Sequence, residues 1–183
     1  VRKVSMTMPG TGPILVTGGN GQLATSLQTL GNDRVIRIGR PEFDFDHPET
    51  IPAAVEKYKP SVVVNAAAWT AVDLAETEKE GAARANNSGP AALASACAQA
   101  DIPFIHVSTD YVFSGNKGTP YTEDDATSPE TVYGSTKAEG EQAVLTANIK
   151  SIILRTSWVY SAHGKNFVRT MINAGAKNPV LKV

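Results

Sequence analysis

The sequence predicts an α/β fold, a doubly wound parallel sheet with helices on both faces. Three observations point there. Short apolar runs recur along the chain: Ile14-Leu15-Val16, Ser61-Val62-Val63-Val64-Asn65, Pro103-Phe104-Ile105-His106-Val107 and Ser151 to Arg155. Such runs suit strands buried on both faces. Stretches of helical length separate most of them. The first run is followed at once by glycines and then by a helical pattern, the order of a Rossmann-type dinucleotide site.

The elements follow in order. Residues 1–13 are polar and broken by Pro9, Gly10, Gly12 and Pro13, which predicts a flexible leader. Residues 14–183 are then one NAD(P)-binding domain. After the first strand, Thr17-Gly18-Gly19-Asn20-Gly21-Gln22-Leu23-Ala24 leads into a helix patterned by Leu23, Leu27 and Leu30, which stops at Gly31. Glycine permits the tight turn and the approach of backbone N–H groups to a pyrophosphate, with the helix N-terminus behind them. Gly18, Gly21, Gln22 and Leu23 are the phosphate candidates, against the alternative of an ordinary glycine turn.

Arg34 to Ile38 reads as the second strand. Arg40 lies about where a ribose-reading side chain belongs, ~20 residues past the glycines. An arginine suits the 2′-phosphate of NADP; Glu42 keeps NAD open, and a solvated strand-end arginine is the plain alternative. Asp44 and Phe45 precede a helix over residues 48–59. The third strand ends in Asn65, and Ala66-Ala67-Ala68-Trp69 then offers small residues against which an adenosine can lie, or simply tight packing. Residues 72–100 read as two helical stretches broken at 86–90. The fourth strand leads into Ser108-Thr109-Asp110-Tyr111-Val112-Phe113, placing Thr109 at a carboxyl end, where ligands gather in open sheets. Residues 114–129 read as a surface excursion bordering the site. A helix follows to about 147, then a fifth strand ending near Trp158, which is a flat ligand wall or a core aromatic. A helix over 166–176 and the start of a sixth strand at Val180 complete the pattern.

Composition narrows the function classes. A net charge of −1 over 183 residues gives no electrostatic reason to expect nucleic acid or an anionic membrane. No apolar run approaches a membrane span. The single cysteine, Cys97, forms no internal disulfide, which predicts a reducing, cytoplasmic setting, and its small apolar neighbours suggest packing. His47, His106 and His163 are scattered, without metal-ligand spacing, so no metal site is expected.

The chemistry centres on Tyr133-Gly134-Ser135-Thr136-Lys137. Residues four apart share a helix face. A phenol has an unperturbed pKa of ~10, and a neighbouring ammonium lowers it. A tyrosine so tuned can give a proton to a carbonyl oxygen as a hydride reaches its carbon. Tyr133 is the candidate proton donor, with Lys137 and Thr109 as catalytic partners.

Together these motifs resemble the extended short-chain dehydrogenase/reductases. Gly21-Gln22-Leu23, Asn65 to Asp73, Ser108 to Phe113, Val132 to Lys137 and Arg155 to Tyr160 resemble, more narrowly, the dTDP-4-dehydrorhamnose reductase family. The resemblance implies reduction of the C4 keto group of dTDP-4-dehydro-L-rhamnose by NADPH, with NADH as a second donor. Tyr133 would donate the proton, Lys137 would hold the nicotinamide ribose and Thr109 would polarise the carbonyl. Asp44, Phe45, Ala67, Ala68, Trp69 and Val107 would line the adenine and ribose side; Thr109, Asp110 and Trp158 would touch the sugar nucleotide. The family's C-terminal substrate domain, with acidic residues for Mg²⁺ at a homodimer contact in some members, is absent from this chain. Related nucleotide-sugar dehydratases put Asp-Glu after the threonine, whereas Tyr111 follows Asp110 here. An epimerase or dehydratase and a non-catalytic NADP-binding regulatory subunit are the alternatives.

Overall fold

The computed structural model describes residues 11–178, 180 and 181. Five parallel strands form one sheet: β1 (Ile14–Thr17), β2 (Val35–Arg37), β3 (Val62–Asn65), β4 (Phe104–Thr109) and β5 (Ser151–Thr156). Their order is β2-β1-β3-β4-β5. The chain winds outward from β1 to β2, then crosses back to β3, so the direction reverses between β1 and β3. The crevice outside the carboxyl ends at such a reversal is where ligands bind in open α/β sheets. The fold is thus the Rossmann-type doubly wound sheet that the strand runs predict.

Alternate strand residues face opposite sides. Leu15, Val63 and Phe104 pack against α2 (Thr50–Tyr58), α5 (Gly89–Gln99) and α6 (Val132–Ala147) through Ile51, Val55, Leu93, Cys97 and Val144. Val16 and Val64 face the other way, onto Ala24 and Leu27 of α1 (Gln22–Gly31). Burial pushes the Cys97 thiol up to about 12, consistent with an inert packing residue.

Several elements differ from expectation. Leu30 is 80% exposed, so the α1 stripe ends at Leu27. Helix α2 begins at Thr50, beyond Pro48, because Thr50 Oγ1 bonds the carbonyls of Asp44 and His47 and holds 44–47 as a turn. The predicted pair of helices over 72–100 is four segments: α3 (Val72–Ala75), α4 (Lys79–Ala83), a π turn (Arg84–Ser88) and α5. Residues 86–90 are therefore helical, not broken. The last helix, α7, is Phe167–Gly175. Val180 and Leu181 carry no strand. The rest of the expected sixth strand and residues 1–10 of the leader lie outside the described residues. No described helix is long and apolar enough to cross a membrane.

Candidate active site

The turn after β1 is shaped by backbone constraints. Gly18 has φ +102°, and a Cβ there would sit 2.7 Å from the Ala66 carbonyl oxygen. Only glycine lets the ends of β1 and β3 approach so closely. Gly19 N–H bonds Ile38 O at 2.9 Å and Gly21 N–H bonds Gly18 O at 2.9 Å, leaving Gln22 and Leu23 amides without a backbone acceptor among the described residues. These are the orphan donors of a helix start, a ready anion site. The Gln22 side chain is occupied: its Oε1 accepts from Asn166 Nδ2 (2.8 Å) and Ser161 Oγ (3.0 Å).

This turn forms one end of a cleft of about 1220 Å³ along the carboxyl edge of the sheet. The structure brings every predicted site residue to it: Gly18, Gly21, Gln22 and Leu23; Arg40, Asp44 and Phe45; Ala67, Ala68 and Trp69; Val107, Thr109 and Asp110; Tyr133 and Lys137; and Trp158. Glu42 is not among its lining. It turns instead to Lys57 and to the Tyr58 hydroxyl (2.6 Å). The excursion over 114–129 does not line the cleft either.

At the β2 end, Arg40 is exposed and pairs with Asp44 (2.9 Å) and Asp46 (2.7 Å). Arg84, from the π turn, reaches the same Asp46 at 2.9 Å. Two guanidiniums therefore flank this end of the cleft, held by two carboxylates. At the β3 end, Asn86 clamps the Trp69 peptide: its Oδ1 accepts from Trp69 N (2.9 Å), and its Nδ2 donates to Trp69 O (3.2 Å) and to Thr136 Oγ1 (3.2 Å) on α6. Asn86 thus joins the backbone after β3 to the helix that carries Tyr133.

Helix α6 starts at Thr131, whose hydroxyl accepts from Gly134 N at 3.0 Å, a side-chain N-cap. At the second position of the helix, Tyr133 packs edge-on to Tyr111, ring centres 5.5 Å apart. Burial holds its phenol above the ordinary tyrosine value; a hydrogen bond from the Thr109 hydroxyl side pulls the other way but does not prevail. Burial thus outweighs the acidification expected from Lys137, whose Nζ makes its contacts elsewhere. Lys137 is itself 1% exposed. Its Nζ donates to Val107 O (2.7 Å) and lies 3.2 Å from His106 Nε2. Burial lowers Lys137 to about 8, with Glu141 opposing. Thr109 Oγ1 contacts Asp110 Oδ1 (3.2 Å), whose other oxygen accepts from Ser157 (2.6 Å). Ser108 lines the cleft, and its Oγ is buried with no hydrogen-bond partner among the described residues. Trp158 is 76% exposed with φ +52°, stacked edge-on to Phe167, and so is not a core aromatic.

Four of these residues escape a reading of sequence. Asn86 looks like a helix breaker, Arg84 like a surface charge and Ser108 like a strand-end turn residue. His106 looks like a scattered histidine. Its one signal is its phase: two residues from both Phe104 and Ser108, it shares their face of β4. No cluster of three potential metal ligands occurs among the described residues.

The profile of the RmlD substrate binding domain family matches residues 12–183. The dTDP-4-dehydrorhamnose reductase of Sinorhizobium fredii is 46% identical over 172 residues, 93% of this chain and 58% of its own length. A solved dTDP-4-dehydrorhamnose reductase from Clostridium acetobutylicum superposes with TM-score 0.85 at 40% identity, over 90% of this chain and 59% of its own. Another, from Bacillus anthracis in complex with NADP, gives TM-score 0.88 at 33% identity, over 92% and 62%. The chain spans less than two thirds of the length of each of these relatives.

Proposed function

The chain belongs to the RmlD substrate binding domain family, and from that premise we propose that it supplies the dinucleotide-binding and proton-donating part of an NADPH-dependent reductase. The substrate proposed is dTDP-4-dehydro-L-rhamnose, reduced at its C4 keto group to dTDP-L-rhamnose. One juxtaposition supports this reading most: Tyr133, Lys137 and Thr109 stand around the same cleft as the glycine turn. The cleft offers a dinucleotide the Gln22 and Leu23 amides at one end, which have no backbone acceptor among the described residues, and Ser108 toward the other.

Bound there, NADPH would supply a hydride to the carbonyl carbon. The chain's own residues do the rest. The Gln22 and Leu23 amides and the α1 dipole hold the pyrophosphate. Arg40 and Arg84, released in part from Asp44 and Asp46, face the 2′-phosphate. Gly18, Ala67 and Ala68 keep the adenosine wall flat. Thr109 and Tyr133 bracket the keto oxygen. The phenol, held above its ordinary pKa, carries the proton that the oxygen needs as it becomes an alkoxide. Lys137 orients the ribose and compensates the phenolate that remains. Asp110 and Trp158 line the sugar-nucleotide side.

The test is turnover of the dTDP-ketosugar by the full-length protein, followed as loss of NADPH absorbance. Tyr133→Phe keeps the fold and the cofactor site and lowers kcat by ~10²–10⁴, the usual range for a positioned general acid. Near-normal turnover in that variant removes Tyr133 from the mechanism.

A further inference from the structure

Gln22 serves two parts of the molecule at once. Its backbone N–H belongs to the glycine turn; the rest of it is spent on the loop between β5 and α7, residues 157–166. Its Oε1 accepts from Asn166 Nδ2 at 2.8 Å and from Ser161 Oγ at 3.0 Å. Its Nε2 reaches Val159 O at 3.5 Å, and its carbonyl oxygen lies 3.1 Å from His163 Nε2. A carbonyl only accepts, so His163 Nε2 carries the proton and donates to it. The same nitrogen lies 3.2 Å from Ser26 Oγ, one turn along α1. Gly164, at φ +73°, completes the wrap: a Cβ there would stand 2.8 Å from Gln22 Cγ.

Elsewhere the loop is lightly held. Ser157 donates to Asp110 at its start, Trp158 packs on Phe167, and Arg169 of α7 donates to Ala162 O. Among the described residues α7 has none that is buried. The loop residues also divide by use. Trp158, Val159, Gly164 and Lys165 line the cleft. Ser161, His163 and Asn166 stand outside its lining, and their side chains grip the first turn of α1. Segments with few buried contacts open at low free energy, so these bonds decide how often the cleft wall is in place.

We propose that Ser161 and His163 are positioning residues that latch this loop to Gln22, so that a dinucleotide on the Gln22 amide and a sugar nucleotide against Trp158 bind cooperatively. The identity of the two ligands rests on the function proposed above; the latch does not. A phosphate on the Gln22 and Leu23 amides restrains the turn that the loop grips. A sugar nucleotide against Trp158 restrains the loop itself. Each ligand orders part of what the other must order, and the resulting coupling is reciprocal. Neutral and protonated imidazole both offer an Nε2 proton to the Gln22 carbonyl, so the latch does not depend on the charge of His163.

The experiment uses full-length protein and has two readouts. Lys165 gives trypsin a site inside the loop, and mass spectrometry identifies the cut; its rate follows the population of loop released from α1. Ser161→Ala combined with His163→Ala speeds that cut at least ~5-fold, the least expected when two hydrogen bonds are lost, while Tm hardly moves. Ser161→Thr combined with His163→Gln keeps a hydroxyl and an N–H donor and stays near the wild-type rate. The second readout is the Kd for NADPH, titrated with and without saturating dTDP. In the wild type dTDP tightens NADPH at least ~5-fold, an ordinary coupling between sites, and NADPH tightens dTDP by the same factor. The alanine pair brings that factor below ~2 and leaves the Kd for NADPH alone nearly unchanged; a merely structural contact would not move it. An unchanged rate at Lys165, a wild-type factor of one, or a factor intact in the alanine pair each overturn the proposal. Should the alanine pair fold poorly, His163→Ala alone is read in the same way. Failure of the wild type to bind either ligand would instead sink the assigned reaction, and the rate at Lys165 then decides the latch by itself.

Discussion

Gly140 is a demanding position on α6, and Gly140→Ala tests how the helix that carries Tyr133 and Lys137 is seated. A Cβ there would fall well inside the van der Waals envelope of the Asn86 carbonyl oxygen, with the Asn86 carbonyl carbon at 3.0 Å and Asn87 Cα at 3.3 Å. All three are backbone atoms of the π turn, so no side chain can swing aside. The helix must retreat, and packed interiors resist such retreat. Overpacking of this kind costs ~1–3 kcal/mol, sometimes more. For a chain of this size each kcal/mol moves Tm by about 2–4 °C, so Tm falls by roughly 2–12 °C. Tyr133 and Lys137 ride on the same helix, and a ~1 Å misplacement lowers turnover about 100-fold. Thermal unfolding followed by circular dichroism, with NADPH consumption by the full-length enzyme, reads both effects. A Gly140→Ala protein that unfolds within a degree of wild type and turns over normally would show that α6 does not need this contact.

Other expectations concern charge. Arg155 makes a two-pronged contact with Glu141, whose side chain is only 2% exposed. Arg155→Leu strands that carboxylate and costs about 3–5 kcal/mol in urea unfolding, much of it recovered by adding Glu141→Leu; a single variant as stable as wild type refutes the role. His106 ordinarily titrates at 6.5 and is lowered to about 3 by burial, then by Lys137. The unfolded chain thus binds a proton that the folded chain refuses, and stability falls as pH drops from 6.5 toward 3. His106→Gln should flatten that part of the profile; an unchanged slope assigns it to carboxylates instead. Arg40→Ala removes an exposed ion-pair partner worth ~0.2–1 kcal/mol, so stability hardly changes while Kd for NADPH rises more than Kd for NADH. An unchanged cofactor ratio takes Arg40 out of 2′-phosphate recognition.

Much of this fold was legible in the residues because its signals are local. Four of the five strands are apolar β-branched runs, and the glycine turn sits between strand and helix as a phosphate site requires. Elements set by tertiary contact were not legible. Residues 86–90 look like a break, yet Asn86 satisfies the Trp69 peptide from inside a π turn, and that long-range clamp keeps the backbone helical. Leu30 fits the α1 stripe by spacing, yet it is 80% exposed while Leu27 packs on the core. Glu42 stands near enough to the β2 end to suggest a ribose ligand; Lys57 and Tyr58, contributed by α2, draw it away.

The same distinction explains the Tyr133–Lys137 pair. Spacing puts both on one helix face, and the inference that an ammonium beside a phenol must acidify it follows only if solvation is equal for the two. It is not. Lys137 lies deeper, against Val107 and His106, and no hydrogen bond joins it to Tyr133. Burial raises the phenol and lowers the amine, so both groups are pushed toward their neutral forms. For the ketone reduction proposed above, a protonated phenol is the useful starting state, since a donor must hold its proton until the oxygen becomes basic. A tyrosine already ionised at rest could not give one. The amine's charge then matters later, beside the phenolate left by proton transfer, where an ammonium is stabilised as the phenolate forms. The pair is best understood as two proton sites that the interior biases toward neutrality without discharging the amine, whose value of about 8 leaves it mostly ammonium at neutral pH, and not as a phenol permanently acidified by its neighbour.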